Sequence, residues 1–223
     1  MGIELFYRVL IIIGGYLFGA IPTAYILYKI KRGDDIRKYG SGNVGGTNVA
    51  RTLGAGYGAV TIILDMLKGF IPILVLYFVY PFIYPDDSNF ILLSILSIAV
   101  ILGHDFPVYL KFKGGKGIAT TYGVVAGVSL LPFEGIAESI VWIKVLPLIV
   151  ILGIWVIIFL AFRISSLASL CGALAAPISF FLTGYKLPIC IASVCWCILV
   201  FITHRANIKR LIRKEEKKLS KKT

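Results

Sequence analysis

Charged groups are scarce in this 223-residue chain, and acidic groups are the scarcest. Only 15% of the residues are charged, with 11 Asp and Glu against 23 Lys and Arg. The four cysteines form no C-x-x-C pair, and the two histidines do not stand at metal-ligand spacing from them. This pattern argues against a zinc site and a disulfide framework. We expect no metal and no organic cofactor.

Motifs of several soluble enzyme classes are also missing. The nucleotide loop G-x-x-x-x-G-K-[ST] does not occur, which argues against a nucleotide-hydrolysing protein. No Ser-His-Asp set and no cysteine with a base stands in the polar segments, and residues 41–51, 112–117 and 204–210 contain no carboxylate pair, which argues against a covalent intermediate. No repeat or low-complexity linker divides the chain, so we expect one polytopic domain over residues 1–223.

Apolar residues are abundant instead. They make up 58% of the chain, and the mean hydropathy is +0.90, more than a soluble core of this length could hide. A membrane-spanning helix needs about 20 apolar residues. The candidate segments are residues 5–28, 57–84, 90–109, 118–133, 141–162, 166–184 and 188–203. The sequence therefore predicts an all-α integral membrane protein with seven transmembrane helices, the fourth being a short helix or a re-entrant piece.

The distribution of basic residues predicts the orientation of these spans. With this segmentation, 19 Lys and Arg fall on one side, three on the other, and Lys68 inside a span. Because basic residues collect in the cytoplasm, we expect the N-terminus outside and the C-terminus in the cytoplasm. A signal peptide is the alternative interpretation of the N-terminus, but its apolar run is long and its stronger positive flank follows it.

The net charge of +12 is explained by this topology and does not require a nucleic-acid partner. The excess lies in predicted cytoplasmic loops and in the tail, residues 209–222. We expect the tail to extend the seventh helix and to lie near anionic membrane lipids.

Three polar islands follow apolar segments and would share the cytoplasmic face. The first island is residues 41–51 (SGNVGGTNVAR), the second is residues 112–117 (FKGGKG), and the third is residues 204–210 (HRANIKR). In the first island, glycines let backbone N–H groups converge, Ser41 and Asn43 add donors, and Arg51 can grip a phosphate with two bonds. We interpret this island as an anion-binding loop; a plain turn is the alternative.

The second island resembles a phosphate loop, because its glycines precede an apolar helix whose N-terminal N–H groups would face an anion. Lys113 and Lys116 add positive charge. The preceding His104, beside Asp105 at the end of a span, is catalytic or structural. Asp65 and Lys68, three residues apart inside a span, form either a functional pair or a packing clasp that holds the loops.

In the third island, His204 and Asn207 stand at helical spacing and share one face. A smaller cluster at residues 163–169, which includes Ser166 and Ser169, completes the predicted cytoplasmic loops, about 31–56, 110–118, 163–169 and 204–223. Several phosphate-suited loops at a membrane surface suggest phosphorylated substrates, one of them a lipid. The chemistry should then depend on positioning and an activated donor.

With these three islands, the sequence resembles the bacterial acyl-phosphate:glycerol-3-phosphate acyltransferases (PlsY type). The resemblance covers nearly the whole chain. It rests on Ser41-Gly42-Asn43 with Gly45, Asn48 and Arg51; on Gly103-His104 with Pro107 and residues 112–117; and on His204-Arg205 with Asn207-Ile208 and Arg210-Leu211.

The resemblance implies transfer of a fatty acyl group from acyl phosphate to the 1-hydroxyl of sn-glycerol 3-phosphate. The products would be lysophosphatidic acid and inorganic phosphate, in the first step of phospholipid synthesis at the bacterial inner membrane. The enzyme that makes acyl phosphate is a candidate partner. The H-x-x-x-x-D motif of acyl-CoA-dependent enzymes is absent, since Tyr109 follows His104 and Lys209 follows His204 at that spacing.

The resemblance also implies roles for individual residues. Catalytic roles fall on Ser41, Arg51, Lys116, His204 and Asn207. Phosphate or substrate binding falls on Gly42, Asn43, Gly45, Asn48, Lys113, Gly114, Gly115, Gly117, Ser166 and Ser169. Structural support falls on Asp65, Lys68, His104 and Glu216. The chain departs from the family at Gly46, where Ala is common, and at Lys214, where Gly is common.

Two other classes of function stay open from the sequence. A small anion or phosphate transporter would use the glycine loops as a gate and the Asp65 and Lys68 pair on its path. No inverted repeat or matching pair of broken helices supports it. A structural membrane scaffold would tolerate loss of Arg51 or Lys116 without loss of activity.

Overall fold

The computed structural model of the chain describes residues 2–83, 89–131, 133, 141–216 and 218. Over these residues the regular backbone is helical. The helices are α1 (Gly2–Gly19), α2 (Thr23–Arg32), α3 (Gly46–Leu53), α4 (Ala55–Ile83), α5 (Asn89–Asp105), α6 (Ile118–Leu130), α7 (Val141–Lys144), α8 (Leu146–Phe162), α9 (Ser165–Leu182), α10 (Leu187–Thr203) and α11 (Arg205–Ile212). Two short 3₁₀ turns span Ile36–Lys38 and Val108–Leu110.

Five described segments are long and apolar enough to cross a bilayer: Gly2–Arg32, Ala55–Val79, Phe90–Leu110, Trp142–Phe162 and Ser165–Leu182. The pair α10 and α11 is a sixth candidate, but it is bent by 64° at His204. Helix α6 has 13 residues and extends about 20 Å, less than the roughly 30 Å of a hydrocarbon core. The all-α membrane architecture agrees with the prediction, and the number of seven spans stays a prediction.

The first predicted span is broken, contrary to the continuous helix expected over residues 5–28. Helix α1 ends at Gly19, and α2 begins at Thr23 after Pro22, which has no backbone N–H to continue the ladder. The break coincides with a close approach to α5, because a Cβ at Gly19 would overlap the backbone of Val100. The proline and this packing together explain the interruption.

One compact unit comprises Met1–Val128. In it α1 packs against α5, and α4 contacts both of them. Helix α6 reaches α4 through small residues: a Cβ at Gly69 would overlap the Thr120 carbonyl oxygen, and a Cβ at Gly123 would overlap that of Met66. Such glycine contacts let helices approach closely where lipid supplies no hydrophobic driving force.

The second compact unit comprises Ser129–Thr223. Here α9 packs against both α8 and α10, and its small residues Ala168, Gly172 and Ala175 are buried. Near the α9–α10 turn, Phe180 makes edge contacts with Tyr185 and Trp196, at ring-centre distances of 4.8 and 5.6 Å. The cysteines Cys171, Cys190, Cys195 and Cys197 are all free thiols within α9 and α10.

Candidate active site

The first island is half loop and half helix. The composition of residues 41–51 predicts a loop, but α3 begins at Gly46. Gly45 precedes it with an extended backbone, and the Val49 N–H closes the first helical turn on the Gly45 carbonyl at 3.1 Å. The Asn48 N–H also donates to the Gly45 carbonyl at 3.0 Å, so the N–H groups of Gly46 and Thr47 are the ones that lack a partner within the helix, as anion binding requires.

Asn48 organises the loop that precedes α3. Its Oδ1 accepts the Ser41 N–H at 2.8 Å, and its Nδ2 donates to the carbonyls of Tyr39 and Asn43, both at 3.0 Å. The side chain is buried within these contacts. The resemblance implies a substrate contact for Asn48, whereas this geometry favours a role in shaping the loop that carries Ser41.

The apolar side chains of the first island pack in a small apolar cluster. Ile36, Val44 and Val49 are buried there together with Ala24, Tyr28 and Leu110, and Leu110 belongs to the segment that leads to the second island. Residues from both islands' flanking segments therefore share one core.

Arg37 reinforces this connection. Its Nη2 donates to Asp35 Oδ2 at 2.6 Å, and its Nη1 donates to the Leu110 carbonyl at 3.4 Å. The hydrogen bonds from the Arg37 guanidinium to the Asp35 carboxylate hold the pKa of Asp35 below its usual value. Arg37 is not among the predicted site residues, because nothing in its sequence context distinguishes it from other basic residues of the predicted cytoplasmic loops.

The second island is held by backbone hydrogen bonds to the end of α5. The N–H of Gly114 donates to the Asp105 carbonyl at 3.2 Å, and that of Gly115 donates to the His104 carbonyl at 3.1 Å. A Cβ at residue 115 would overlap His104 Nε2. Gly117 has a φ of 71°, and α6 begins directly after it, which confirms the expected order of glycines followed by a helix.

A buried polar network lies under this second island. Lys68 Nζ is 2.9 Å from Asp65 Oδ1 and donates to the Ile21 carbonyl at 3.0 Å. The Thr23 hydroxyl also donates to Asp65 Oδ1. His104 Nδ1 lies 3.8 Å from the same carboxylate oxygen. The network therefore connects the break between α1 and α2 with the end of α5.

A small cavity adjoins the network. It is lined by residues 20–23 and by Val44, Lys68, His104, Pro107, Gly114 and Gly115, and it has room for about one water molecule. Its walls thus include one residue of the first island and two of the second.

The third island begins at a sharp bend and is not a continuation of the preceding helix. Helix α10 ends at Thr203, and α11 starts at Arg205 with a 64° change in direction, so the predicted extension of the seventh helix is wrong. His204 is buried at this bend, and its Nδ1 lies 2.9 Å from the Val200 carbonyl. Because a carbonyl only accepts, Nδ1 carries the proton in the neutral imidazole and Nε2 is the basic nitrogen.

Glu216 joins α9 to α11. Its Oε1 accepts from Ser166 Oγ at 2.9 Å and from Asn207 Nδ2 at 2.6 Å, and its Oε2 accepts from Arg210 Nε at 2.6 Å. Burial would raise the pKa of Glu216, but these hydrogen bonds outweigh it and lower the pKa below the usual value. The carboxylate therefore fixes the side chain of Asn207, in keeping with the structural role expected for Glu216.

The two candidate serines of α9 have different surroundings. Ser166 belongs to the Glu216 cluster, whereas Ser169 Oγ donates to the Ser165 carbonyl at 2.8 Å and accepts from Trp155 Nε1 at 3.3 Å. Of the two, Ser166 is the one connected to the third island.

Both departures from the family have a structural explanation. Gly46 faces α4, where a Cβ would overlap Ile62 and lie 2.9 Å from the Gly58 carbonyl oxygen, so this chain has no space for alanine. Lys214 adopts a φ of 58°, in the left-handed region that glycine enters more readily. The turn that leads to Glu216 is therefore formed despite the lysine.

The expected substrate-facing cations remain accessible. Arg51 and Lys113 are exposed, Lys116 is half-buried, and Ser41 and Gly42 are exposed at the entry to α3. Within the described part of the chain, no group of three or more His, Cys, Asp or Glu residues could hold a metal ion. The first and second islands lie in the unit Met1–Val128, and the third lies in Ser129–Thr223.

The fold and these loops define a class of protein: a helical membrane protein with glycine-rich, anion-suited polar segments at the ends of its spans. A family model for glycerol-3-phosphate acyltransferases matches residues 9–214. A glycerol-3-phosphate acyltransferase of Endomicrobium trichonymphae is 38% identical over 212 residues, which cover 95% of this chain and 96% of that protein. Glycerol-3-phosphate acyltransferase 2 of Thermotoga maritima is 35% identical over 207 residues, which cover 92% and 93%.

Solved structures agree with these sequence matches. The crystal structure of PlsY (YgiH), an integral membrane glycerol 3-phosphate acyltransferase, in its glycerol 3-phosphate form has a TM-score of 0.81 and 35% identity, covering 96% of each chain. Its lysophosphatidic acid form has a TM-score of 0.77 and 33% identity. The chain belongs to the glycerol-3-phosphate acyltransferase family. The prediction of family and of an integral membrane acyltransferase is confirmed.

Proposed function

We propose that this protein transfers a fatty acyl group from acyl phosphate to the 1-hydroxyl of sn-glycerol 3-phosphate. The observation that carries the proposal is the pair of polar segments, each ending in a helix N-terminus, that share a core in the unit Met1–Val128. Two anion-suited helix N-termini fit a reaction in which both substrates carry phosphate. The glycerol 3-phosphate and lysophosphatidic acid forms of the related PlsY structure support the acceptor and the product.

The reaction needs no enzyme nucleophile. An acyl phosphate is already activated, because phosphate is a good leaving group. In the proposed step, the glycerol oxygen attacks the acyl carbonyl carbon, the bond from that carbon to the phosphate oxygen breaks, and the hydroxyl proton ends on phosphate. Arg51, Lys116 and the N–H groups of α3 and α6 neutralise phosphate charge, and catalysis depends on positioning and electrostatics.

The proton passes either to His204 or directly to a substrate phosphate oxygen. The partner of His204 Nδ1 is a neutral carbonyl, which gives an imidazolium less stabilisation than a carboxylate would. We therefore expect His204→Gln to lower kcat roughly 10-fold, because the hydrogen bond from His204 Nδ1 to the Val200 carbonyl is lost. The pH–rate profile should keep its shape. Loss of one limb of that profile, measured over the stable pH range, would instead identify His204 as the base.

The choice of donor is the main test of the proposed reaction. Purified protein in lipid is supplied with palmitoyl phosphate, with and without glycerol 3-phosphate, and phosphate release and lysophosphatidic acid are measured together. We expect release that requires glycerol 3-phosphate, with one lysophosphatidic acid formed per phosphate, and no turnover with palmitoyl-CoA. Turnover with palmitoyl-CoA would contradict the donor, and phosphate flux into liposomes without product would favour a transporter.

The topology belongs to the same proposal. Seven spans with the N-terminus outside would place all three islands on the cytoplasmic side of a bacterial inner membrane. The basic residues of the first and second islands and of α11 support this orientation. The whole chain would then act as one domain.

A further inference from the structure

At the break between α1 and α2, backbone groups lie inside a span without a regular helix, and two buried charged side chains contact this segment. Inside a span, residues 20–22 lack the regular helical pattern, and backbone groups away from water must find partners. The Ile21 carbonyl accepts two hydrogen bonds, from the Thr23 N–H at 3.0 Å and from the Lys68 ammonium at 3.0 Å. Asp65 holds the other side of the break through the hydroxyl of Thr23, the first residue of α2.

The same pair reaches the second island through His104. Asp65 Oδ1 is 3.8 Å from His104 Nδ1, beyond hydrogen-bond distance, and within the described part of the chain this nitrogen has no hydrogen-bond partner. The carboxylate therefore acts on the imidazole through its charge and its packing. The opposite edge of that ring, at Nε2, fills the space that a side chain at Gly115 would need. The His104 carbonyl also accepts the Gly115 N–H at 3.1 Å. The imidazole therefore leaves no space for a side chain at position 115.

The three side chains are shielded from solvent. Asp65, Lys68 and His104 are 2%, 5% and 7% exposed, and Lys68 and His104 border the cavity whose wall also contains Val44 of the first island. An ion pair this deeply buried is a poor source of stability, because desolvation offsets most of the attraction between its charges. A pair in this position is better explained by the geometry that its hydrogen bonds maintain.

We propose that Asp65 and Lys68 are positioning residues for the acceptor substrate. They fix the α1–α2 break and the His104 ring, and the ring sets the backbone of Gly114 and Gly115. These glycines place Lys116 and the N-terminus of α6, where the phosphate of glycerol 3-phosphate would bind. This inference rests on the proposed function. It adds that a charge pair inside the membrane-spanning region controls the affinity of the enzyme for glycerol 3-phosphate.

The test compares Michaelis constants of three variants in lipid: Asp65→Asn, Lys68→Met and His104→Gln. Each should raise KM for glycerol 3-phosphate about 10-fold and leave KM for palmitoyl phosphate within about twofold. A smaller amount of folded enzyme lowers the maximal rate but leaves KM unchanged, so a merely structural role would not give this pattern. Asp65→Asn is the mildest change, since the amide oxygen can still accept from Thr23 and Lys68.

A double variant tests whether the residues act along one path. If Asp65 acts through His104, Asp65→Asn combined with His104→Gln should raise KM no further than the larger single change. Ser97→Ala is the matched control. Ser97 is fully buried on α5, seven residues before His104, and donates to the Ser94 carbonyl at 2.6 Å. Its KM for both substrates should equal the wild-type values.

The outcomes separate the two proposals. No turnover by the wild-type protein would overturn the proposed function itself. Normal wild-type turnover with an unchanged KM for glycerol 3-phosphate in Asp65→Asn and Lys68→Met would overturn the positioning role alone. Equal rises in KM for both substrates, or failure of both variants to fold, would also overturn it, because the pair would then serve assembly and not acceptor binding.

Discussion

Arg51→Ala is expected to lower kcat/KM about 10³-fold, which corresponds to roughly 4 kcal/mol of lost transition-state stabilisation. Arg51 is exposed in the last turn of α3, and that helix is held by Asn48 and by the buried Val49. A guanidinium on so well anchored a helix needs little reorganisation to grip a phosphate with two bonds. Phosphate release from palmitoyl phosphate with saturating and limiting glycerol 3-phosphate gives the measurement.

Two comparisons make the Arg51 result specific. Arg32→Ala removes another exposed arginine from the same unit, at the end of α2, and should leave kcat/KM within about twofold. Arg51→Lys keeps the charge but loses the two-bond geometry, so it should recover only part of the activity. An Arg51→Ala enzyme with near-normal kcat/KM would remove Arg51 from the site.

Glu216→Ala is expected to lower both activity and stability. It removes the acceptor of three hydrogen bonds and leaves Asn207 and Arg210 without their common partner. Losing a carboxylate from such a cluster costs about 1–2 kcal/mol of unfolding free energy, because the Arg210 side chain is 41% exposed and water screens its charge. The unfolding midpoint in detergent gives the stability, and phosphate release per folded molecule gives the activity. An unchanged unfolding midpoint would show that the Glu216 cluster contributes nothing to stability.

The pH dependence of this effect has a definite sign. Because the pKa of Glu216 is lower in the folded protein than the ordinary value of 4.5, its contribution to stability is fully present above 4.5. The contribution is lost as the pH falls through the lowered folded-state pKa. The difference in stability between the wild type and Glu216→Gln should therefore be largest near neutral pH and shrink below 4.5. A difference that grows on acidification would contradict the direction of this pKa shift.

Several features of the fold could be predicted from the sequence because they depend on local chemistry. Apolar runs of about 20 residues predict membrane helices whatever their neighbours are. Glycines directly before an apolar run predict the start of α6 after Gly117, as observed. The combination of three polar islands was specific enough to indicate the family, and the family is confirmed.

Other features could not be predicted, since they depend on which helices meet. The residues around Pro22 look like the middle of one span, but the close approach of Gly19 to Val100 and the donors on α4 allow a break there. Ser166 and Ser169 are equivalent as sequence, and only the return of the chain to Glu216 distinguishes them. From the sequence alone, glycine in place of alanine at position 46 looks like a mild change. The structure shows that an alanine Cβ at this position would overlap Ile62.

The sequence by itself determined the membrane character, the polar islands and the family of this protein, because hydropathy and short motifs are properties of neighbouring residues. Only the tertiary structure decided how Asp65 and Lys68 meet the Ile21 carbonyl and His104, and how His104 fits against Gly115. These contacts join residues from four separate segments. Their partners are set by helix packing, which no single stretch of sequence specifies.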